Sequence, residues 1–183
     1  MRALVTGATG FIGAALVKAL DRPVVLTRDP SRARRALGSV EAFPWEPASG
    51  PPSPDAFTGI DVVVNLAGDP VAGGRWTAAR KRSMYESRVL GTRHLVEGMR
   101  RLPARPRVLI SASAVGYYGD RGDAPLDETA SPGGDYLATL CVAWEGEAQK
   151  AAPLGVRVVT PRIGVVLGKG GGALAKMLPP FRM

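Results

Sequence analysis

The chain has 183 residues, enough for one domain with a substantial core, and its 45% hydrophobic and 22% charged residues are ordinary for a globular protein. Its apolar runs fall short of the roughly 20 residues that span a bilayer, and the opening "MRALVTGATG" is typical of a strand rather than a signal peptide. The single cysteine, Cys141, excludes an internal disulfide and favours a reducing, cytoplasmic location.

The formal net charge is +8, which suits a nucleic acid, a membrane surface or an anionic small molecule as partner. Most of the basic residues are arginines, spread along the chain without interleaved aromatic residues. We therefore expect neither a nucleic-acid groove nor membrane binding. The charge favours a generally basic surface on which a few arginines serve an anionic ligand.

Short apolar segments alternate with helical patterns along the chain. The predicted strands cover residues 2–6, 23–27, 40–43, 61–68, 107–113 and 155–162. The predicted helices cover residues 11–20, 30–37, 78–101 and 135–150, and a further helix begins in the tail after residue 171. This alternation predicts an α/β fold: a Rossmann-like, doubly wound parallel sheet with strand order 3-2-1-4-5-6.

A glycine-rich segment, "GATGFIG", directly follows the first predicted strand and opens the first predicted helix. Gly7 permits a tight turn, Gly10 lets the backbone approach a pyrophosphate, and Gly13 lets the helix pack closely. The helix N-terminus, with Thr9, Phe11 and Ile12, would present free N–H groups to the anion. A glycine-rich turn without a ligand is the alternative, but strand, spacing and helix together favour a dinucleotide.

The tip of the second strand indicates which dinucleotide binds. An acidic residue at this tip would bind the ribose 2′-hydroxyl of NAD, whereas the sequence reads Thr27-Arg28. Arg28 can pair with a 2′-phosphate, and Arg32 on the next helical turn can assist. Asp29 precedes Pro30 and is better placed to cap the helix. The sequence therefore favours NADP over NAD.

Three motifs in this order, "GATGFIG", "NLAG" and "SASAVGYYG", resemble the extended short-chain dehydrogenase/reductase superfamily, which includes sugar-nucleotide epimerases and dehydratases. The longer segments "NLAGDPVAGGRWTAARKRSMYESRV", "SPGGDYLATLCVAWE" and "PRIGVVLGKGGGALAKMLPPF" are similar to an atypical group within it, the NAD-dependent epimerase/dehydratase-like oxidoreductases. Members of that family usually continue into a C-terminal substrate-side region. We therefore expect a truncated chain, with an NADP-binding domain at residues 1–168 and the start of the substrate-side region at residues 169–183.

The resemblance implies further cofactor contacts after the later strands. The segment after the fourth strand would border the adenosine, and the end of the fifth strand would flank the nicotinamide ribose. Residues 161–164, after the sixth strand, would approach the nicotinamide amide. The implied contacts are Asn65, Leu66, Ala67, Gly68, Ser111, Ala112, Arg162 and Ile163.

The catalytic residues of the superfamily are only partly matched. In the superfamily a Tyr transfers the proton, a Lys four residues later lowers its pKa, and a Ser orients the substrate oxygen. Ser113 matches the Ser, although a strand-end hydroxyl that caps a turn is an equal alternative. Alignment on "WE" places Leu137 at the Tyr position and Cys141 at the Lys position, so we expect Tyr136 to face elsewhere.

Other groups could supply the missing chemistry. Tyr117, our second catalytic candidate, or Tyr118 could enter the site from the loop after the fifth strand. Arg88 replaces a superfamily Asn and could reach the cofactor phosphates or an anionic substrate, or it could be an exposed residue paired with Glu86. Trp76 is a lid or a packing anchor.

No group of residues has metal-ligand spacing, and we expect no metal. His94 is expected to pack or to lie at the surface. Cys141 has no His near it in sequence, which gives little support to a nucleophilic role.

The leading hypothesis is an NADP-dependent oxidoreductase or epimerase-like enzyme that acts on a small sugar-nucleotide or carbonyl substrate without the Tyr-x-x-x-Lys pair. A regulatory protein that binds NADP without turnover is the alternative. In the superfamily, the helices that correspond to residues 78–101 and 135–150 usually form the dimer surface. The sequence therefore leaves open whether this chain forms a homodimer.

Overall fold

The computed structural model describes residues 1–72, 74–168, 171–178 and 181. The strands are β1 (Ala3–Thr6), β2 (Val24–Thr27), β3 (Glu41–Pro44), β4 (Val62–Asn65), β5 (Val108–Ser111), β6 (Ser113–Ala114), β7 (Arg157–Val159), β8 (Arg162–Ile163), β9 (Leu167–Gly168) and β10 (Gly171–Gly172). The helices are α1 (Phe11–Ala19), α2 (Pro30–Leu37), α3 (Ala78–Tyr85), α4 (Gly91–Arg100), α5 (Tyr136–Gln149) and α6 (Leu174–Met177). Single 3₁₀ turns lie at Pro54–Phe57, Val115–Tyr117 and Ala152–Leu154.

A parallel sheet of six strands, in the order β3-β2-β1-β4-β5-β7, forms the centre of the fold. β7 is the sixth long strand along the chain, so the predicted order 3-2-1-4-5-6 is confirmed. β1 and β4 lie in the middle and are buried along their whole length, which explains why they are continuous apolar runs rather than alternating ones.

Helices cover both faces of the sheet, as the alternating pattern predicts. On one face, Leu95 and Met99 of α4 and Ala148 of α5 pack against Leu4 and Val63 of the sheet. On the other face, residues of α1 and α2 pack against the alternate side chains of the same strands. This arrangement leaves the carboxyl ends of the strands as the open edge where a ligand can lie.

The long predicted helix at residues 78–101 is present but contains an irregular turn. The π turn Glu86–Leu90 joins α3 to α4 and widens the helix by one residue. Such turns occur often at functional sites because they redirect side chains. The side chain of Arg88 lies in this turn.

The predicted sixth strand is shorter than expected. It ends at Val159, because Pro161 has no N–H group with which to continue the ladder. The Pro161 carbonyl instead accepts a hydrogen bond of 2.8 Å from the Ser113 amide, and β8 then pairs in parallel with β6. This small second sheet brings Arg162 beside Ser113.

The tail forms a hairpin of β9 and β10 that the sequence did not predict, followed by the predicted helix start, α6. The proposed domain boundary at residue 168 falls inside this hairpin, and the division into domains stays a prediction. Residues 169, 170, 179, 180, 182 and 183 of the proposed second region lie outside the described residues. Within the described ranges, each helix is too short or too polar to cross a membrane.

Candidate functional site

A groove runs across the carboxyl ends of β1, β2 and β4. It consists of a cavity of about 460 Å³ on the β2 side and one of about 300 Å³ on the β5 side. Gly7, Gly10 and Leu66 line both cavities, so the glycine-rich loop lies at the junction between them.

The glycine-rich loop has the backbone that a bound pyrophosphate requires. Gly7 has φ of +65°, and a Cβ there would lie 2.6 Å from the carbonyl carbon of Leu66. A Cβ on Gly13 would lie 2.7 Å from the Cα of Ala8, so only glycine lets α1 approach the loop this closely. Gly10 occupies the N-cap of α1 and offers no side chain to the first-turn N–H groups. Those amides are therefore free to bind an anion.

The tip of β2 forms the far wall of the larger cavity. Arg28 lines this cavity next to Thr27. The Asp29 carboxylate accepts a hydrogen bond of 2.9 Å from the Arg32 amide and caps α2, as the sequence predicts. Arg32 lies in the first turn of α2, outside the lining of both cavities. At this tip, the side chain left to bind a ligand is therefore the basic Arg28 rather than the acidic Asp29.

Residues that sequence reasoning missed close the outer end of the larger cavity. The segment after β3 lines it, and Trp45, Glu46 and Pro47 belong to this segment. The Trp45 amide donates to the Thr27 carbonyl at 2.8 Å, and His94 Nδ1 lies 2.7 Å from the Pro47 carbonyl. The apolar face of Trp45 and its position two residues after a predicted strand were the available signals.

A buried polar network lies under the floor of the groove. The Thr6 hydroxyl donates to Asn65 Oδ1 at 2.7 Å and accepts hydrogen bonds from the Leu66 and Ala67 amides, each at 3.1 Å. This hydroxyl therefore fixes the path of the loop after β4.

The Asn65 side chain is committed to the same network. Its Nδ2 donates to Thr92 Oγ1 at 2.8 Å and to Ser111 Oγ at 3.1 Å. The side chains of Asn65 and Ser111 are fully buried and shape the floor, whereas Leu66, Ala67 and Gly68 line the groove itself. A contact of Asn65 or Ser111 with a cofactor stays a prediction.

The smaller cavity lies between α1 and the tail. Phe11, Ile12, Ala112 and Ile163 line it, together with Val166 and residues of the β9–β10 region. The Phe11 ring packs against glycines of the β9–β10 hairpin, where a Cβ on Gly168 would lie 2.5 Å from Cζ of the ring. Apolar side chains, Phe11 on one side and Ile163 on the other, make this cavity suited to bind a flat, weakly polar ring.

Ser113 opens β6, two residues after the end of β5, and belongs to a partly buried ion-pair network. Its hydroxyl donates to Glu145 Oε1 at 2.5 Å. Arg162 donates two hydrogen bonds of 3.0 Å to the same carboxylate. This bidentate contact raises the pKa of Arg162. Since the Ser113 hydrogen points to Glu145, the oxygen can accept a hydrogen bond from a ligand.

Arg162 also connects Ser113 to the tyrosines of the preceding loop. Its guanidinium lies 3.4 Å from the centre of the Tyr117 ring and donates to the Tyr118 hydroxyl at 2.9 Å. In the described part of the chain the Tyr117 hydroxyl makes no hydrogen bond, so it is available to a ligand. Arg121, four residues after Tyr117, instead holds the Tyr118 carbonyl at 3.0 Å.

The positions that match the superfamily Tyr and Lys carry no proton-transfer pair. Leu137 lies against Gly116, and Cys141 is buried beneath Ser113. Burial raises the pKa of the Cys141 thiol, which contacts the Ser113 side chain and the Ala114 backbone. The thiol therefore stays neutral near pH 7.

Tyr136 faces away from Ser113, as expected. Its hydroxyl donates to the Lys81 carbonyl at 2.6 Å, and burial raises its pKa. The ring meets Trp76 edge-on with centroids 5.8 Å apart. The Trp76 indole donates to the Val71 carbonyl at 3.2 Å, which makes it a packing anchor for this loop.

Arg88 is neither exposed nor paired with Glu86. It lies half-buried against Gly68, and its guanidinium is 5.3 Å from the centre of the Trp144 ring. No cluster of three or more potential metal ligands occurs among the described residues. The groove lining thus includes most of the predicted cofactor contacts. Besides Asn65 and Ser111 under the floor, five predicted residues lie outside the lining of both cavities: Arg32, Arg88, Ser113, Tyr117 and Arg162.

Comparison with known proteins supports the reading of the groove. Residues 3–183 match the NAD dependent epimerase/dehydratase family. An epimerase family protein of Mycobacterium bovis is 42% identical over 180 residues, 97% of this chain and 58% of the relative. The chloroplastic homolog of the epimerase family protein SDR39U1 from Arabidopsis thaliana is 44% identical over 189 residues, 100% of this chain and 54% of the relative.

Solved structures agree with these matches and confirm the resemblance drawn from the motifs. The crystal structure of human epimerase family protein SDR39U1 (isoform 2) with NADPH superposes with a TM-score of 0.83 at 33% identity, covering all of this chain and 60% of the human one. A nucleoside-diphosphate sugar epimerase from Corynebacterium glutamicum gives 0.77 at 34% identity, covering 97% and 37%. The chain thus spans a little over half the length of the curated relatives named above.

Proposed function

The chain belongs to the NAD dependent epimerase/dehydratase family, and we propose that it binds NADP(H) in the groove and acts as an oxidoreductase or epimerase-like enzyme on a small carbonyl or sugar-nucleotide substrate. The observation that carries this proposal is the pairing of Arg28 with the glycine-rich loop in one cavity. The loop fits a pyrophosphate, because a Cβ at Gly7 or Gly13 would fill the cradle. The human relative crystallised with NADPH adds support.

Different residues of the groove would bind different parts of the cofactor. The first-turn amides of α1 would bind the pyrophosphate. Arg28, assisted by Arg32, would hold the 2′-phosphate, and Trp45 would cover the adenine. The smaller cavity, between Phe11 and Ile163, would receive the nicotinamide.

When bound there, NADP(H) supplies or accepts a hydride, and the protein must hold the substrate oxygen and its proton. The Ser113 oxygen would accept a hydrogen bond from a substrate hydroxyl, because its own hydrogen is held by Glu145. Tyr117 would carry the transferred proton at its unpaired hydroxyl. The Arg162 guanidinium, 3.4 Å from the centre of the Tyr117 ring, would hold that ring in position.

A regulatory protein that binds NADP without turnover is the second candidate. Leu137 and Cys141 favour it, because neither can transfer a proton near neutral pH. Under this alternative Ser113, Glu145 and Arg162 would form a structural network.

Titration of the protein with NADPH, followed by fluorescence or calorimetry, tests both candidates. Saturable binding of NADPH is expected, and its absence would contradict both candidate functions. Hydride transfer is then measured with NADPH and a panel of carbonyl compounds and sugar nucleotides. Turnover that is lost in Tyr117→Phe, with the NADPH affinity unchanged, supports the enzyme. Tight binding without turnover across the panel supports the regulator.

A further inference from the structure

Two arginine side chains lie against the short loop that follows β4. Arg80, on α3, donates a hydrogen bond to the Pro70 carbonyl. Arg88, in the π turn, packs on Gly68, where a Cβ would lie 2.9 Å from its Cζ. Both guanidinium groups therefore contact the segment at residues 68–70, at the edge of the groove.

Arg88 is short of hydrogen-bond partners. Among the residues that the structure describes, its one hydrogen bond is a long one of 3.4 Å to the Met84 carbonyl in its own helix. Burial lowers the pKa of the Arg88 guanidinium, and the opposing effect of Asp69 does not offset it. Within the described ranges, no carboxylate lies within 4.0 Å of it. A half-buried cation left this way gains free energy when an anion arrives.

Arg80 is also incompletely satisfied. Its Nε atom is buried and has no hydrogen-bond partner among the described residues. Asp69, in the loop after β4, accepts a hydrogen bond from the Ser83 hydroxyl. The segment at residues 75–88 carries five basic side chains and one acidic one, so the surroundings are strongly positive.

Two arginines elsewhere in the chain have carboxylate partners. Arg162, which is mostly buried, makes two hydrogen bonds with Glu145, and the exposed Arg93 contacts Glu147 at 2.7 Å. The contrast indicates that the free donors of Arg80 and Arg88 do not serve the folded chain itself. Gly68 reinforces this view, because its missing side chain makes room for Arg88.

Arg88 also lies close to the proposed reaction centre. Its charge acts on the Cys141 thiol, and that thiol contacts the Ser113 side chain.

We propose that Arg80 and Arg88 form a receptor for an anionic group, a carboxylate or a phosphate, on the substrate. This proposal rests on the proposed function, since it assigns the substrate of that same site. Both groups present paired oxygens, which match the fork of a guanidinium. The substrate is therefore negatively charged at the end that points to α3.

The test is a calorimetric titration of the NADPH-saturated protein with inorganic phosphate and, separately, with acetate, at constant ionic strength. Arg88→Gln and Arg80→Gln are each expected to weaken the anion affinity by about tenfold or more, because a charged pair is lost. Arg82→Gln is the matched control, since Arg82 lies exposed on the same helix. It should change the affinity by less than about twofold. Tighter binding of phosphate or of acetate then distinguishes a phosphorylated from a carboxylated substrate.

Three results would overturn the receptor. The first is that the wild-type protein binds neither anion up to the millimolar range. The second is equal weakening in Arg82→Gln, which would indicate a general field effect. The third is a loss of NADPH affinity in Arg88→Gln, which would make Arg88 a cofactor contact.

Thermal unfolding of each variant controls for folding. Arg88→Lys keeps the charge and should retain part of the affinity if Arg88→Gln does not fold. If the wild-type protein fails to bind NADPH, the proposed function fails. The same anion titration of the protein without NADPH then still tests the receptor.

Discussion

The two ends of the groove are built in different ways. At the phosphate end, Gly7 and Gly13 shape a cradle from the backbone itself, with free amides at the start of α1. At the proposed substrate end, the charged and aromatic side chains of Glu145, Arg162 and Tyr117 are held by contacts with one another.

Because of this difference, the two ends of the groove tolerate amino-acid substitutions differently. A backbone cradle fails when any side chain enters it, whereas a side-chain network can be rebuilt with other residues. The chain has the glycines, and the motif alignment predicts Leu137 and Cys141 at the positions of the superfamily Tyr and Lys. The chemistry of the fold can therefore change while the cofactor cradle stays the same.

The largest expected effect is at the cradle. Gly13→Ala should lower the free energy of unfolding by about 4 kcal/mol and abolish NADPH binding, because the new Cβ meets the backbone of Ala8. Gly146→Ala is the matched control in α5, where the space is open, and should stabilise by about 0.5–1 kcal/mol. Urea unfolding measures both. Equal effects at the two sites would show that α1 can shift and that the cradle is not rigid.

The network at the substrate end should come next. Glu145→Gln removes one charge of a mostly buried pair, with side-chain exposures of 16% for Arg162 and 13% for Glu145. It should cost about 3 kcal/mol. Glu97→Gln is the control, because Glu97 pairs with exposed arginines, and it should cost less than about 0.5 kcal/mol. A cost for Glu145→Gln as small as the control's would mean that solvent reaches Arg162 and the network is loose.

A smaller effect is expected under the floor of the groove. Thr6→Val keeps the shape but removes the acceptor for the Leu66 and Ala67 amides, at a cost of about 2 kcal/mol. Thr139→Val, on the exposed side of α5, should change the stability by less than about 0.5 kcal/mol. Thermal unfolding compares the two variants. If they behave alike, the loop after β4 does not depend on Thr6.

The smallest effect is a dependence on pH beneath the substrate end. Burial raises the pKa of Glu147, but hydrogen bonds from Arg93 and Lys150 outweigh burial and leave it below its usual value. The unfolded chain therefore binds more protons in acid, so this stabilisation is present above about pH 4.3 and is lost as the pH falls through the lower folded pKa. Glu147→Gln should flatten the acid limb of the unfolding free energy. Glu128→Gln, an exposed control, should leave that limb unchanged.

The fold and the phosphate end could be predicted from sequence because their signals are local. Buried strands appear as apolar runs, and Asp29-Pro30 marks the start of α2 at the correct residue. The glycines of the cradle follow their strand directly. Each of these features depends on neighbours within a few residues.

The substrate end could not be predicted in the same way, because its contacts join distant parts of the chain. Ser113 and Glu145 are 32 residues apart, and Arg162 reaches both after Pro161 ends β7 early. The π turn that aims Arg88 has no sequence signature, since its residues suit an ordinary helix. Such features follow from packing rather than from propensity.

The most direct test of the central claim is the ratio of the NADPH and NADH dissociation constants in wild type and Arg28→Ala. Arg28 lines the cavity at the tip of β2, and Asp29 is engaged as a helix cap. Wild type should prefer NADPH, and Arg28→Ala should weaken NADPH by about tenfold to a hundredfold while leaving NADH nearly unchanged, because only NADPH carries the 2′-phosphate. Equal losses for both dinucleotides, or a wild-type preference for NADH, would contradict the account.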